Sequence, residues 1–249
     1  MAEIYSLSLI LIFSFAAVIL LLLFYVSAPY GKFSRKGWGP AIHSKWAWMI
    51  MEFPSLALMI IFFIWSVNFN IVNSIFITLW LLHYMDRTFI YSFRQSGRDK
   101  PYPLILVLMA LVFNCLNGIT NGYGIFYVCS YNLDWLISWK FIAGTLIFLT
   151  GFFINKIADE KLHDLRKNHP GEYILPQGWL FKYVSCPHYF GEIIEWTGWA
   201  VLTWSLPGLA FAVFTFANLF PRAVASHKWY KINFPDYPKE RKAIIPFII

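Results

Sequence analysis

Apolar stretches of membrane-span length recur along this chain, separated by short polar connections. Residues 5–27 are apolar throughout, roughly the 20 residues that a membrane-crossing helix needs. Further runs cover 46–67, 73–93, 104–117 and 139–165. From Tyr189 to Ala225 the chain stays mostly apolar over 37 residues, too many for one span. Pro207-Gly208 sits where a break divides that run into helices at 189–205 and 207–228. The pattern predicts an all-α, polytopic membrane protein with seven transmembrane helices in a single domain over 1–249. The Gly/Asn-rich stretch Asn117–Gly122 reads as a connection after the fourth span. The first run lacks a basic leader, so it reads as a retained helix rather than a cleaved signal.

Charge gives the predicted helices a direction. Segments 28–46, 92–103, 156–187 and 222–249 hold four, three, five and six Lys/Arg, which is 18 of the 20 in the chain. The intervening connections near 68–72, 118–137 and 204–208 hold none. Basic loops stay on the cytosolic side, so the N-terminus is expected outside and the C-terminus in the cytosol. The membrane would be the endoplasmic reticulum in a eukaryote or the inner membrane in a bacterium. Composition agrees: 59% of residues are hydrophobic and 13% charged, against roughly 25% charged in a soluble domain. The net charge of +7 then reports orientation rather than nucleic-acid binding. Cys115, Cys129 and Cys186 form no CxxC pair, and the six histidines form no HxxxH pair, so neither a metal nor a disulfide is expected.

Polar groups inside the apolar runs carry the candidate chemistry. The third run contains Tyr84, Asp86 and Arg87 before it reaches water, followed by Tyr91. A charge at membrane depth costs ~2.5–3.5 kcal/mol on insertion scales, so such groups are usually functional. Glu52, on the antiparallel second span, falls at a similar depth to Tyr84. Asn155, Asp159, Leu162 or His163, and Arg166 form one stripe at the polar end of the fifth helix. His188, Glu192 and Glu195 begin the sixth helix, and Arg222 and Tyr230 end the seventh. All lie in the predicted cytosolic half, while the outer half reads as apolar. The arrangement suggests a pocket open to the cytosol, not a path across the membrane.

Plainer readings stand beside this one. Glu52 could serve only to neutralise Arg87, and Glu192 and Glu195 could be carboxylates favoured by a helix N-terminus. The fifth-helix stripe could be an ordinary helix emerging into water, and Tyr30 and Trp48 could be interfacial aromatics. Gly118, Gly122 and Gly124 do not make a phosphate loop, because no strand precedes them and they fall on the outer side. Arginines at the mouth suit a phosphorylated ligand. A carboxylate and a phenol deeper in suit polarising a carbonyl on a hydrophobic substrate. Residue chemistry alone leaves hydride transfer, methyl transfer and lipid binding open.

Ordered motifs narrow the choice. They include Glu52-Phe53-Pro54-Ser55, His83-Tyr84, Arg87-Thr88-Phe89-Ile90-Tyr91-Ser92 and Gly97-Arg98 before Pro101-Tyr102-Pro103. Further on stand Pro176-Gln177-Gly178, Gly191-Glu192-Ile193-Ile194-Glu195-Trp196, Thr203-Trp204-Ser205-Leu206-Pro207, and Asp236-Tyr237-Pro238 with Arg241-Lys242 and Pro246-Phe247. From about Tyr25 to the C-terminus the chain resembles the steroid 5-alpha-reductase family, its mammalian type 2 branch in particular. The resemblance implies NADPH-dependent reduction of the 4,5 double bond of 3-oxo-4-ene steroids in a seven-helix membrane fold without a Rossmann domain. It implies that Tyr84 and Glu52 bind the C3 carbonyl and that Trp48 helps wall the nicotinamide. It places NADPH against Tyr30, Arg87, Arg98, Asn155, Asp159, Arg166, His188, Glu192, Arg222 and Tyr230. Its implied partners are a steroid-like lipid and the bilayer. The chain departs from the family pattern at Met51, where a Gln is usual, at His188, where an Asn is usual, and at Ser226, where a histidine is usual. A reductase of another conjugated lipid, such as an enoyl thioester or sterol, and a membrane methyltransferase are the alternatives.

Overall fold

The computed structural model describes residues 2–66, 69–94 and 101–249. Its long helices are α1 (Ala2–Tyr25), α2 (Ser44–Trp65), α3 (Ile71–Met85), α4 (Leu104–Tyr123), α5 (Trp139–Asn168), α6 (Pro187–Thr203) and α7 (Leu206–Asn233). Among the described residues, five helical stretches are long and apolar enough to cross a membrane: α1, α2, α4 with its continuation to Val128, α5 and α7. The other two, α3 and α6, have 15 and 17 residues. They supply Trp80 and Phe76, and Trp196 and Trp199, to a fully buried aromatic core. The only paired strands among the described residues are β1 (Ala41–His43) and β2 (Pro101–Pro103). They run antiparallel with Ile42 opposite Tyr102. A single bridge joins Val184 to Lys242. The first basic loop is thereby tied to the second, and the third to the fourth.

Local chemistry sets the helix ends. The Asn70 side chain caps α3 by accepting from Asn73 N at 2.8 Å, and Ser138 caps α5 by accepting from Phe141 N at 3.2 Å. α3 does not stop at Met85. It passes through a π-helical stretch, Asp86–Tyr91, and one more turn, Ser92–Arg94. Such wide turns recur at functional sites, and this one carries Arg87 and Tyr91. α1 buries only Ser8, Ile12, Ala16 and Leu23, a single narrow stripe, and presents the rest of its surface outward.

Two expectations need correction. The segment Asn117–Gly122 is not a connection: α4 runs to Tyr123 and continues as a π-helix to Val128. Its glycines serve close packing rather than turning. A Cβ on Gly122 would lie 2.6 Å from the Phe62 ring, and one on Gly118 3.0 Å from Leu58 Cβ, both on α2. The half of the bundle away from the basic loops is not uniformly apolar either. Thr120 and Asn121 are buried there on α4, against Ser8 at the start of α1 and Pro207 at the start of α7. Uncharged amides escape a charge census, yet they need partners just as surely.

The closest helix contact is between α5 and α6. A Cβ on Gly151 would lie 2.2 Å from Glu195 N, and on Gly198 2.2 Å from Phe148 N. Gly144 against Leu202 N (2.3 Å) and Gly191 against Asn155 N (2.4 Å) continue the same seam. Glycines seven apart on both helices let the backbones touch, the device by which membrane helices associate. Gly198→Ala should therefore destabilise the protein by roughly 1–3 kcal/mol, the usual cost of overpacking. Gly118→Ala, whose closest contact is the Leu58 side chain at 3.0 Å with backbone no nearer than Ser55 Cα at 3.4 Å, should cost much less. Thermal midpoints in detergent check this, and equal midpoints for the two variants would contradict it.

Candidate active site

All seven long helices wall one cavity of about 930 Å³, a volume within the range of ligand sites. Glu52 and Tyr84 line one part of it together with Met51, Trp196 and Phe211. Tyr30, Arg166, His188 and Arg222 line both this cavity and a smaller adjoining one of about 130 Å³. The cavity thus has an apolar region holding a phenol and a carboxylate, and a cationic region next to the basic loops.

Tyr84 occupies the last turn of α3 and is 2% exposed. Its ring stacks on Trp80 at 4.9 Å, with Trp196 at 5.8 Å and His83 at 5.0 Å around it. Packing on three sides fixes the ring and leaves the hydroxyl as the adjustable part. Glu52 lies on α2 two residues before Pro54 and faces the cavity half-buried. Among the described residues it forms no ion pair.

Arg87 explains why. Its Nη1 donates to Asp159 Oδ2 at 2.8 Å and its Nη2 to Glu192 Oε2 at 2.6 Å. One buried guanidinium is therefore held between carboxylates from α5 and α6, with the Tyr91 ring 4.7 Å away and Trp48 5.8 Å away. Neutralising Arg87 does not require Glu52. Asn155 stands behind this cluster: its amide donates to His188 O at 2.9 Å and to Glu192 Oε2 at 3.3 Å, and it does not line the cavity. The choice between Leu162 and His163 resolves in favour of Leu162, which is buried and faces the cavity. The flank of the π-helical stretch is tied to α5 by the Asp86–Lys156 ion pair and by Arg94–Glu160 at 3.3 Å.

At the cationic region Arg222 Nη1 donates to Tyr30 Oη at 2.8 Å. Arg222 Nε and His188 Nδ1 are buried without a hydrogen-bond partner among the described residues. Arg166 faces both cavities and makes no ion pair among the described residues. Tyr230 lines the smaller cavity, stacked on Tyr237, with Lys32 Nζ 4.0 Å over its ring. Trp48 lies edge-on to Tyr91 at 5.0 Å. Arg98 falls outside the described residues.

Some pairings escaped the sequence reading. Glu195 is not a surface carboxylate at a helix start: it is fully buried, and its Oε1 meets His83 Nδ1 at 2.8 Å. Its position two turns into α6, on the Gly191/Gly198 face, is the signal that points inward. At the basic end Ser185 Oγ lies 2.7 Å from His227 Nδ1 and also meets Tyr237 Oη and Lys242 O, fastening the C-terminal segment.

Comparison with known proteins shows the family. The family model for 3-oxo-5-alpha-steroid 4-dehydrogenase matches residues 100–249. The steroid 5-alpha-reductase DET2 of Gossypium hirsutum is 44% identical over 232 residues, covering 91% of this chain and 90% of its own. The 3-oxo-5-alpha-steroid 4-dehydrogenase 2 of Homo sapiens is 43% identical over 232 residues, covering 90% of each, and the type 1 enzyme of Bos taurus is 40% identical over 232 residues, covering 90% and 89%. A polytopic helical chain matched along nine-tenths of its length, this protein is an oxidoreductase of the 3-oxo-5-alpha-steroid 4-dehydrogenase, or steroid 5-alpha-reductase, family.

Proposed function

We propose that the chain reduces the 4,5 double bond of 3-oxo-4-ene steroids with NADPH, and that Tyr84 and Glu52 hold the C3 carbonyl. The observation that carries this reading is the division of one cavity into an apolar region with a phenol and a carboxylate and a cationic region with unpartnered donors. In the apolar region the Tyr84 hydroxyl donates to the enone oxygen. Glu52 orients that hydroxyl or, as the carboxylic acid, donates a second hydrogen bond. Drawing electron density toward oxygen makes C5 electrophilic, and negative charge develops at the oxygen that Tyr84 faces. The apolar walls exclude water from this step, and Met51 adds an apolar contact there. C4 then takes up a proton.

The residues present fit NADPH. Arg166 is unpaired among the described residues, and Arg222 Nε and His188 Nδ1 are buried donors or acceptors in need of partners. Arg166 and Arg222 would hold phosphate, Tyr30 and Tyr230 would flank the nucleotide, and Trp48 would wall the nicotinamide. The Arg87–Asp159–Glu192 cluster, braced by Asn155, would offer carboxylate acceptors and remaining guanidinium donors. When bound, NADPH supplies the hydride. Family membership favours this chemistry over the methyltransferase alternative.

Orientation follows the same logic. The β1–β2 pair joins the first two basic segments and the Val184–Lys242 bridge the last two, and Lys32 over Tyr230 with Arg222 on Tyr30 links the first to the fourth, which supports all four sharing one end of the bundle. We assign that end to the cytosol, with seven spans and the N-terminus outside.

Three outcomes are expected. Tyr84→Phe should fold and bind NADPH but lose about 10²–10³ in kcat, as with deletion of an oxyanion-hole donor. Glu52→Gln should lower turnover with cofactor affinity intact. Product masses from purified protein given NADPH and a panel of 3-oxo-4-ene steroids and enoyl thioesters read both, and full Tyr84→Phe activity would remove the phenol from the reaction. NADPH should be strongly preferred to NADH because only its 2′-phosphate engages the arginines, and Arg166→Ala should raise the KM for NADPH more than it lowers kcat. Comparable kcat/KM for the two cofactors would refute that. A cysteine at the exposed Ser34 (Ser34→Cys) should react with an impermeant reagent only from the cytosolic face of sealed vesicles. Labelling from outside would overturn the orientation.

A further inference from the structure

The role given to Tyr84 above requires its hydroxyl proton to point into the cavity. We propose that a one-way chain of side-chain hydrogen bonds, Trp199 to Asn121 to Asn117 to Tyr84, sets that direction, making Asn117, Asn121 and Trp199 positioning residues for the reduction. The inference rests on the reading of Tyr84 as the carbonyl's donor.

The direction of the chain follows from chemistry. An indole N–H donates and never accepts. Trp199 Nε1 lies 3.0 Å from Asn121 Oδ1, so that atom must be the amide oxygen. The Asn121 Nδ2 is then surrounded by acceptors: Asn117 Oδ1 at 2.8 Å, Asn117 O at 3.3 Å and Pro207 O at 3.5 Å. Turning this amide over would set an oxygen against three oxygens. Asn117 Oδ1 is thereby committed to Asn121, and Asn117 Nδ2 is left facing Tyr84 Oη at 3.5 Å. Toward Asn117 the phenol oxygen can only accept. Its own proton is therefore directed away from Asn117, to Ser55 Oγ, the other polar neighbour of the phenol, or to an acceptor on the cavity side that takes the place of Ser55. The 3.5 Å contact is long, as catalytic hydrogen bonds often are until substrate binds and draws them in.

Ser55 does not donate to the phenol, and its oxygen is the acceptor that a substrate carbonyl would replace. The Ser55 hydroxyl donates to Asn114 Oδ1 at 2.9 Å, and Asn114 Nδ2 donates to Met51 O at 2.7 Å. Asn117, Asn121 and Trp199 are each fully buried and none lines the cavity. They cannot touch a ligand there and can act only through Tyr84. Each donated bond polarises the next, so the phenol oxygen at the end of the chain is favoured as a donor to a carbonyl developing charge.

The test uses the full-length protein with NADPH and progesterone as the 3-oxo-4-ene probe, measuring kcat, KM and NADPH binding. Asn117→Leu should lower kcat about tenfold, the scale of one net hydrogen bond, with KM and NADPH binding within about twofold. Trp199→Phe, which keeps a ring but deletes the donor that orients the chain, should lower kcat about threefold. In a Tyr84→Phe background neither change should lower kcat further, because the hydroxyl they orient is gone. Thr120→Val alters another buried hydrogen bond of α4, to Ser8 at 2.8 Å, and should leave kcat unchanged. Wild-type kcat in Asn117→Leu and Trp199→Phe beside an impaired Tyr84→Phe would overturn the chain and leave Tyr84 in place. Losses that multiply with Tyr84→Phe, or an equal loss in Thr120→Val, would reduce it to ordinary packing. If Asn117→Leu does not fold, Trp199→Phe alone and in the Tyr84→Phe background decides. A fully active Tyr84→Phe would instead refute the assignment of the phenol, and this inference with it.

Discussion

A guanidinium buried within a helix bundle cannot be left unpaired, and the architecture around Arg87 answers that constraint. Charge at membrane depth is tolerated when it faces the bundle interior and meets opposite charge. Arg87 meets Asp159 from α5 and Glu192 from α6, so three helices are joined at one point. Removing any member of such a cluster strands the others, which is far more costly than losing a surface ion pair. Asn155 braces Glu192 from behind, and the α5–α6 backbone contact brings Asn155 within reach. Glu52, released from balancing this charge, remains on the cavity wall beside Tyr84.

Two kinds of polar order coexist in the bundle. Near the basic loops the groups are ionic and several are unsatisfied, as befits a surface awaiting a charged ligand. Deeper in, Asn121 donates to Asn117, while Asn114 accepts from Ser55 and donates to the Met51 carbonyl. The aromatic core of Trp80, Trp196, Trp199 and Phe211 packs beside the second set, and Trp80 and Trp196 fix the Tyr84 ring. Family membership says what reaction is carried out. The geometry supplies a reason for these side chains to be where they are.

Much of this was legible in sequence because charge inside an apolar run is conspicuous. Glu52, Tyr84, Arg87, Asp159, Arg166 and Glu192 could be set at one depth from helix direction alone, and all six line one cavity. What was not legible depends on partners far away in the chain. Asn117–Gly122 has the composition of a turn until Phe62 and Leu58 are known to press against its glycines. Glu195 looks like a helix-start carboxylate until His83, 112 residues earlier, is found beside it. Neutral amides carry no charge signal, so the chain leading to Tyr84 left no trace in the apolar pattern. The departure at Met51 proves to be a cavity-lining apolar side chain whose backbone carbonyl accepts from Asn114.

The glycine seam also bears on how the molecule can move. Where backbone meets backbone over two turns and more, sliding or parting exposes peptide groups and forfeits close contact along the whole interface. α5 and α6 therefore travel as one body. Any breathing that admits a rigid four-ringed molecule or releases its product must come from the remaining helices, whose contacts are made through side chains able to change rotamer. α1, seated by a single stripe of four small or medium residues, is the wall with the least to lose by yielding. The Arg87 cluster would stay assembled while the α1 wall opens, so that turnover need not dismantle the charges that hold the bundle together.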